Sequence, residues 1–178
     1  MMDCKSIKTS DELMNLAIVI MTILITIKLK LNRNMVGMMD ITAQINEFLK
    51  KDFKQVKSHV EKIEHHFARV RHSLDEGDLR PGGTVSGPVM FAVADLALYV
   101  AILGEIGLVP LAVTTNLNIN FLNKPSAEKD LIGECRLIKV GKGLIMGDVF
   151  IYSEGQEQPV AHATGTYAIP PKRPATTV

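Results

Sequence analysis

Between Pro88 and Leu103 the chain reads Pro-Val-Met-Phe-Ala-Val-Ala-Asp-Leu-Ala-Leu-Tyr-Val-Ala-Ile-Leu, and Asp95 is the one charged side chain in that run. An unpaired carboxylate in apolar surroundings is costly enough that a chain which carries one either pairs it or uses it. Just upstream, Arg80-Pro-Gly-Gly-Thr-Val-Ser-Gly-Pro88 is a glycine-rich turn leading into the same run. A turn of this kind delivers backbone N–H groups to a helix start, where the dipole favours negative charge. A carboxylate two turns into a helix, with N–H donors at its tip, supplies a base or nucleophile and an oxyanion stabiliser. Those are the parts of a site that hydrolyses a carbonyl compound.

Other chemistries fit these residues less well. Gly83-Thr-Val-Ser-Gly87 lacks the Gly-x-Ser-x-Gly spacing of a nucleophile elbow, which argues against the serine-hydrolase reading of Ser86. Gly82 and Gly87 imitate a phosphate-binding loop, but Pro88 and Val89 stand where its Lys and Ser/Thr belong. Gly141, Gly143 and Gly147 lead into a strand and not a helix, which argues against a dinucleotide site. His59, His65, His66 and His72 match no usual metal-ligand spacing, and adjacent His65 and His66 on a strand would point to opposite faces.

The elements that must position Asp95 follow from periodicity. From Asp40, the residues Ile41, Ile45, Phe48, Leu49, Phe53 and Val56 recur at helical spacing, giving an amphipathic helix whose lysines face solvent. Two short strands are predicted over 56–63 and 67–73, then a polar loop. The central helix starts at Pro88 and is stopped by Gly104, Gly107 and Pro110. It is apolar all round, so it must be enclosed. Residues 111–122 alternate, with Val113, Thr115, Leu117, Ile119 and Phe121 on one face and Thr114, Asn116, Asn118 and Asn120 on the other. Three more strands are predicted over 131–140, 144–152 and 160–169, joined by the turns Gly141-Lys142-Gly143 and Glu154-Gly155-Gln156. Ala161, Ala163 and Gly165 share a face of the last one and let a helix approach closely. The class is α+β, an antiparallel sheet wrapped around one helix.

Composition narrows the partners. A formal charge of +1 over 178 residues builds no positive field, and Trp is absent, so nucleic acid is not an expected partner. Cys4 and Cys135 are far apart, which points to a reducing compartment and a cytoplasmic location. Residues 13–27 are uncharged and strongly apolar, and Lys28, Lys30 and Arg33 follow. Snorkelling lysines extend this stretch to residue 31, near the roughly 20 residues a bilayer requires. Residues 1–37 are therefore an extension that, unless it is a helix packed against the domain, is of one of two kinds. Either they are a gene-start artefact, since Met35, Met38 and Met39 could each begin the domain, or they are a membrane anchor that leaves the domain on the cytoplasmic side. The domain itself is expected over 38–170, with a tail at 171–178.

The chain resembles the hotdog-fold thioesterases, in the PaaI-like branch of the 4-hydroxybenzoyl-CoA thioesterase superfamily. The resemblance covers roughly residues 50–170. It rests on Pro81-Gly-Gly-Thr-Val-Ser-Gly-Pro-Val-Met-Phe-Ala-Val-Ala-Asp95, Ala112-Val-Thr-Thr-Asn-Leu-Asn-Ile-Asn-Phe-Leu122, Gly133-Glu-Cys-Arg-Leu-Ile-Lys-Val-Gly-Lys142 and Ala161-His-Ala-Thr-Gly-Thr-Tyr167. It implies hydrolysis of an acyl-CoA to free acid and CoA with no metal or cofactor. It also implies homodimers whose sheets join edge to edge, tetramers built from those dimers, and active sites shared across the dimer interface.

Carried over residue by residue, the resemblance makes Asp95 the catalytic carboxylate, as general base or nucleophile, and the Gly87 N–H the oxyanion donor. The family's His-Gly-Gly motif is altered, with Ser86 at the His position and Pro88 at the second Gly. A water-holding polar residue upstream corresponds to Arg80, which cannot accept a hydrogen bond but can grip a phosphate or carboxylate. A Ser or Thr on the following strand corresponds to Thr114. Thr114 shares its predicted face with three asparagines, so Thr115 is the alternative. Lys139 and Lys142 are candidates for the CoA phosphates. A hotdog module that binds acyl-CoA without hydrolysing it is the competing reading.

Overall fold

The computed structural model of the chain describes residues 20–22, 25 and 41–171. Its contacts separate two compact units, Met1–Met39 and Asp40–Val178. In the first, residues 20–22 and 25 are helical. Most of the extension at 1–37, and residues 172–178 of the tail, lie outside the described residues.

The second unit opens with helix α1, residues 41–52. Ile45 and Leu49 are fully buried, with Ile41, Phe48 and Phe53 packed beside them, as the helical spacing predicts. Strands β1 (Ser58–Glu64) and β2 (Phe67–His72) follow, then a single 3-10 turn, Glu76–Asp78. Next come a two-residue-strand hairpin, β3 (Leu79–Arg80) with β4 (Thr84–Val85), and the long helix α2 (Gly87–Ile106). The chain ends in β5 (Val113–Phe121), β6 (Leu131–Val140), β7 (Leu144–Ser153) and β8 (Ala161–Ala168). Six strands form one antiparallel sheet in the order β1-β2-β6-β7-β8-β5, which wraps α2 as in the hotdog fold.

Four local expectations change. The glycine-rich turn does not serve the helix start. Gly82 and Gly83, at φ 92° and 63°, form the tip of the β3–β4 hairpin, and the Gly83 N–H goes to the Arg80 carbonyl at 3.1 Å. Gly104 lies inside α2; it clears Ile63, whose Cγ2 would sit 2.5 Å from an added Cβ, and Gly107 is the stop, at φ 85°. Enclosure of α2 is incomplete, because Phe91 and Ala92 are exposed and Asp95 and Leu96 only half-buried, while the helix is buried from Ala97 through Leu103. Finally, His65 and His66 are not on a strand. They are the two-residue turn between β1 and β2, with His66 at φ 57° and the two rings stacked at 4.0 Å.

The helix reaches the sheet through paired glycines, Gly147 on β7 opposite Gly165 on β8. Leu98 rests on this pair. A Cβ on Gly147 would stand 2.8 Å from Leu98 Cδ1 and 3.0 Å from the Arg136 carbonyl oxygen, and one on Gly165 would stand 2.5 Å from Leu98 Cδ2. The small face predicted for the last strand is thus what permits the approach. At the opposite edge Asn46 of α1 closes β1: its Nδ2 donates to the Val60 carbonyl at 3.0 Å and its Oδ1 accepts from the Val60 N–H at 2.8 Å.

Two stability outcomes follow. Gly147→Ala forces Leu98 and the β6 backbone to give way and lowers the free energy of unfolding by about 1–3 kcal/mol in a denaturant titration. Asn46→Ala strips two hydrogen bonds from the β1 edge and costs a similar ~1–3 kcal/mol by the same measurement.

Candidate active site

Asp95 sits at the middle of α2, on the side the sheet leaves open. Its Oδ1 accepts two hydrogen bonds, from Thr114 Oγ1 at 2.8 Å and from the Tyr167 hydroxyl at 2.7 Å. Among the described residues none goes to Oδ2, which is left for water or substrate. The carboxylate is therefore oriented on one oxygen and open on the other, the arrangement a base or nucleophile needs.

Thr114 reaches Asp95 because β5 is bulged. Its register with β8 shifts between Thr114, opposite Tyr167, and Asn116, opposite Thr166, so Thr115 is an extra residue with no partner of its own. One extra residue inverts the alternation on one side of the bulge. Thr114 thereby joins the face of Leu117 and Ile119, toward α2, instead of the asparagine face on which simple alternation puts it. Thr115 turns away and donates to the Thr166 carbonyl at 3.0 Å. Asp95 belongs with Thr114, and Thr115 is not its partner. The strand as a whole is an outer edge, with only Leu117 and Ile119 half-buried, so its alternation does not mark a buried face.

Sequence reasoning missed Tyr167. It continues the small-residue face Ala161, Ala163, Gly165 by one more step of two, and the signal was there in that alternation. The ring is 3% exposed and stacks on Tyr99 with centroids 5.9 Å apart. Burial above all, with Asp95 adding to it, pushes the Tyr167 hydroxyl far above its ordinary range despite the opposing hydrogen bond with Thr114. It thus stays protonated, a fixed donor to the carboxylate.

These three side chains stand on the wall of a cleft of about 670 Å³. Ala92, Leu96, Tyr99, Phe53 and Val113 make much of it apolar, and Lys57, Ser58 and His72 make one end polar. At that end Ser58 Oγ lies 2.9 Å from His72 Nδ1, and His72 Nε2 lies 3.3 Å from Asp78 Oδ2. Burial pushes the Asp78 carboxyl up, but the Asp75 N–H, Lys57 and His72 together hold it below the usual carboxylate range.

The remaining sequence candidates are elsewhere. Gly87 precedes Asp95 by eight residues on one helix, about 12 Å along its axis. Within a single chain the N–H and the carboxylate therefore cannot act on the same carbonyl. At the helix start, Met90 N–H makes the first intrahelical bond, to the Ser86 carbonyl at 3.4 Å, so the Gly87 N–H stands ahead of the ladder. Phe121 packs over Gly87, with Cζ 3.2 Å from where a Cβ would be. Ser86 is the N-cap residue but its hydroxyl makes no capping bond. Arg80 donates from Nε to Thr84 Oγ1 at 2.7 Å, bracing the hairpin, and neither it nor Ser86 lines the cleft. Lys139 at the end of β6 and Lys142 in the β6–β7 turn are exposed and also outside the cleft.

The thioesterase superfamily model matches residues 82–160, which carry α2, Asp95, Thr114 and the strands up to β8. A protein of Saccharolobus solfataricus, provisionally named an esterase, is 33% identical over 140 residues, 78% of this chain and 91% of that protein. A crystal structure from Silicibacter sp. TM1040, provisionally described as a thioesterase, is 42% identical with a TM-score of 0.68, covering 73% of this chain and 92% of that one. The PaaI protein of the E. coli phenylacetic acid degradation operon, at 20% identity and a TM-score of 0.65 over 75% of this chain and 96% of its own, shares the fold. With the wrapped helix, the carboxylate on its open side and these similarities together, the chain belongs to the thioesterase superfamily.

Proposed function

We propose that this chain hydrolyses acyl-CoA thioesters to the free acid and CoA. The observation that carries the reading is the Asp95 carboxylate, fixed on one oxygen by Thr114 and Tyr167 and open on the other, in the wall of an apolar cleft. Asp95 as general base takes a proton from water, and the hydroxide adds to the thioester carbonyl carbon. The oxyanion that forms needs an N–H donor, which the Gly87 N–H at the positive end of α2 supplies. Collapse breaks the C–S bond and the thiolate of CoA leaves, taking up the proton. As nucleophile, Asp95 would instead form a mixed anhydride that water then opens.

The distance from Asp95 to Gly87 along one helix supports a shared site, in which the Gly87 N–H of a second copy faces Asp95. An edge-to-edge homodimer fits the edge position of β5, whose outer residues and the nearby Phe91 are exposed in one protomer. Lys139 and Lys142 remain proposals for the CoA phosphates, on the surface and not in the cleft. A cytoplasmic location, or a membrane anchor that leaves the domain on the cytoplasmic side, is part of the same proposal and rests on the two widely separated cysteines and the apolar stretch at 13–31.

Three measurements test this, with release of free CoA from short-, medium-, long-chain and aromatic acyl-CoAs as the readout. Asp95→Asn lowers turnover by about 100-fold or more with an unchanged circular dichroism spectrum; full turnover removes Asp95 from the chemistry. Binding of an acyl-CoA with no hydrolysis by the wild-type chain makes the protein a binding module. Tyr167→Phe deletes one donor to Asp95 and lowers kcat about tenfold with KM little changed; an unchanged kcat makes the tyrosine a packing residue. Finally, Asp95→Asn and Gly87→Pro proteins, each inactive alone, regain activity when unfolded and refolded together, because a mixed dimer holds one intact site. No recovery from a mixture shown to contain mixed dimers overturns the shared site.

A further inference from the structure

The geometry points to a second site, unrelated to the cleft: His65, His66 and Glu105 form a binding site for a divalent transition-metal cation of the zinc class. The three groups come from two elements, the β1–β2 turn and the last turn of α2. Their candidate ligand atoms all lie within 4.8 Å of one another. His65 Nδ1 is 3.2 Å from Glu105 Oε2, and His66 Nε2 is 3.4 Å from Glu105 Oε1. With Zn–N and Zn–O bonds near 2.0–2.2 Å, ligand atoms at the corners of a tetrahedron are about 3.3–3.5 Å apart, close to these separations. Two imidazoles and a carboxylate are a donor set for Zn²⁺ and its neighbours, and water completes the shell.

Two further observations set this cluster apart from chance neighbours. His66 is the one described residue other than glycine at positive φ, 57°. A left-handed residue is disfavoured for a side chain, and here it folds the turn so that both rings lie over the same carboxylate instead of on opposite faces. The main chain is pinned there, by the Leu137 N–H on the His66 carbonyl at 2.9 Å and the His66 N–H on Glu105 Oε2 at 3.3 Å. The second observation is electrostatic. Glu105 is a carboxylate in the last turn of α2, at the negative end of the helix dipole, and that turn contains no basic residue to offset it. A dication between the imidazoles and the carboxylate supplies the missing positive charge.

Glu105 follows Asp95 by ten residues on the same helix, about 15 Å along the axis. The cation would therefore clamp the β1–β2 turn to the end of α2 and would not take part in the chemistry at Asp95.

The test uses the untagged full chain, freed of metal, with Zn²⁺ and Cu²⁺ as probes. Calorimetry with Zn²⁺ is expected to show one site per protomer, and Zn²⁺ is expected to raise the melting temperature. The Cu²⁺ complex should show electron-spin-resonance splitting from two nitrogens. His66→Asn preserves a residue that tolerates the left-handed conformation while removing the ligand. It, His65→Ala and Glu105→Gln should each weaken binding by roughly tenfold or more, and each histidine variant should reduce the splitting to one nitrogen. Thermal melts of the metal-free variants establish that they are folded. Absence of stoichiometric binding by the wild-type chain, or undiminished binding by a folded His65→Ala/His66→Asn double variant, overturns the proposal.

Discussion

A twenty-residue helix as apolar as α2 has no stable place in water, and the rest of this fold is what it takes to cover it. By length and hydropathy the helix could cross a membrane, yet most of it is buried in the sheet. Covering it with strands requires close approach, and close approach requires that the strand residues beneath Leu98 have no side chain. Gly147 and Gly165 meet that requirement as a cross-strand pair. The same contact fixes where along the sheet the helix lies, and hence where Asp95 emerges.

The covering is deliberately unequal along the helix. From Ala97 to Leu103 every side chain is buried, whereas Phe91 is exposed and Ala92, Asp95 and Leu96 line the cleft together with Ser58 and Thr114. An aspartate is tolerated in so apolar a helix because it stands at this boundary, with two hydroxyl donors on one oxygen and space at the other. Stability and the orientation of the carboxylate are set by the same geometry: a helix turned to bury Asp95 would strand a charge, and one turned further out would lose the two donors on its Oδ1.

The polar groups around Asp95, at the middle of α2, and around Glu105, in its last turn, are assembled on different logic. Around Asp95, the donors come from strands at the far edge of the sheet, so the site depends on the whole sheet being closed over the helix. Around Glu105, the partners come from a turn between adjacent strands, and the site depends on one residue, His66, accepting an unusual backbone conformation. The Ser58–His72–Asp78 chain at the polar end of the cleft is a third such assembly, held by Lys57 and by the Asp75 N–H.

The order of the two helices and six long strands, the apolar central helix with Asp95 inside it, the small face of β8 and the turns at 141–143 and 154–156 could be read from periodicity and from Gly and Pro punctuation, because those are local properties of the chain, whereas the β3–β4 hairpin could not. Asp95 as the candidate reactive group was legible for the same reason: a charge in an apolar run is conspicuous in one dimension. What only the tertiary structure decided is which residues meet it. A bulge costs one unpaired residue and leaves no mark in the alternation of β5, yet it moves Thr114 from the outer face to Asp95 and turns Thr115 away. Tyr167 lies far from Asp95 in sequence and becomes its neighbour only through strand order. The convergence of His65 and His66 hung on a single backbone angle that side-chain periodicity does not encode.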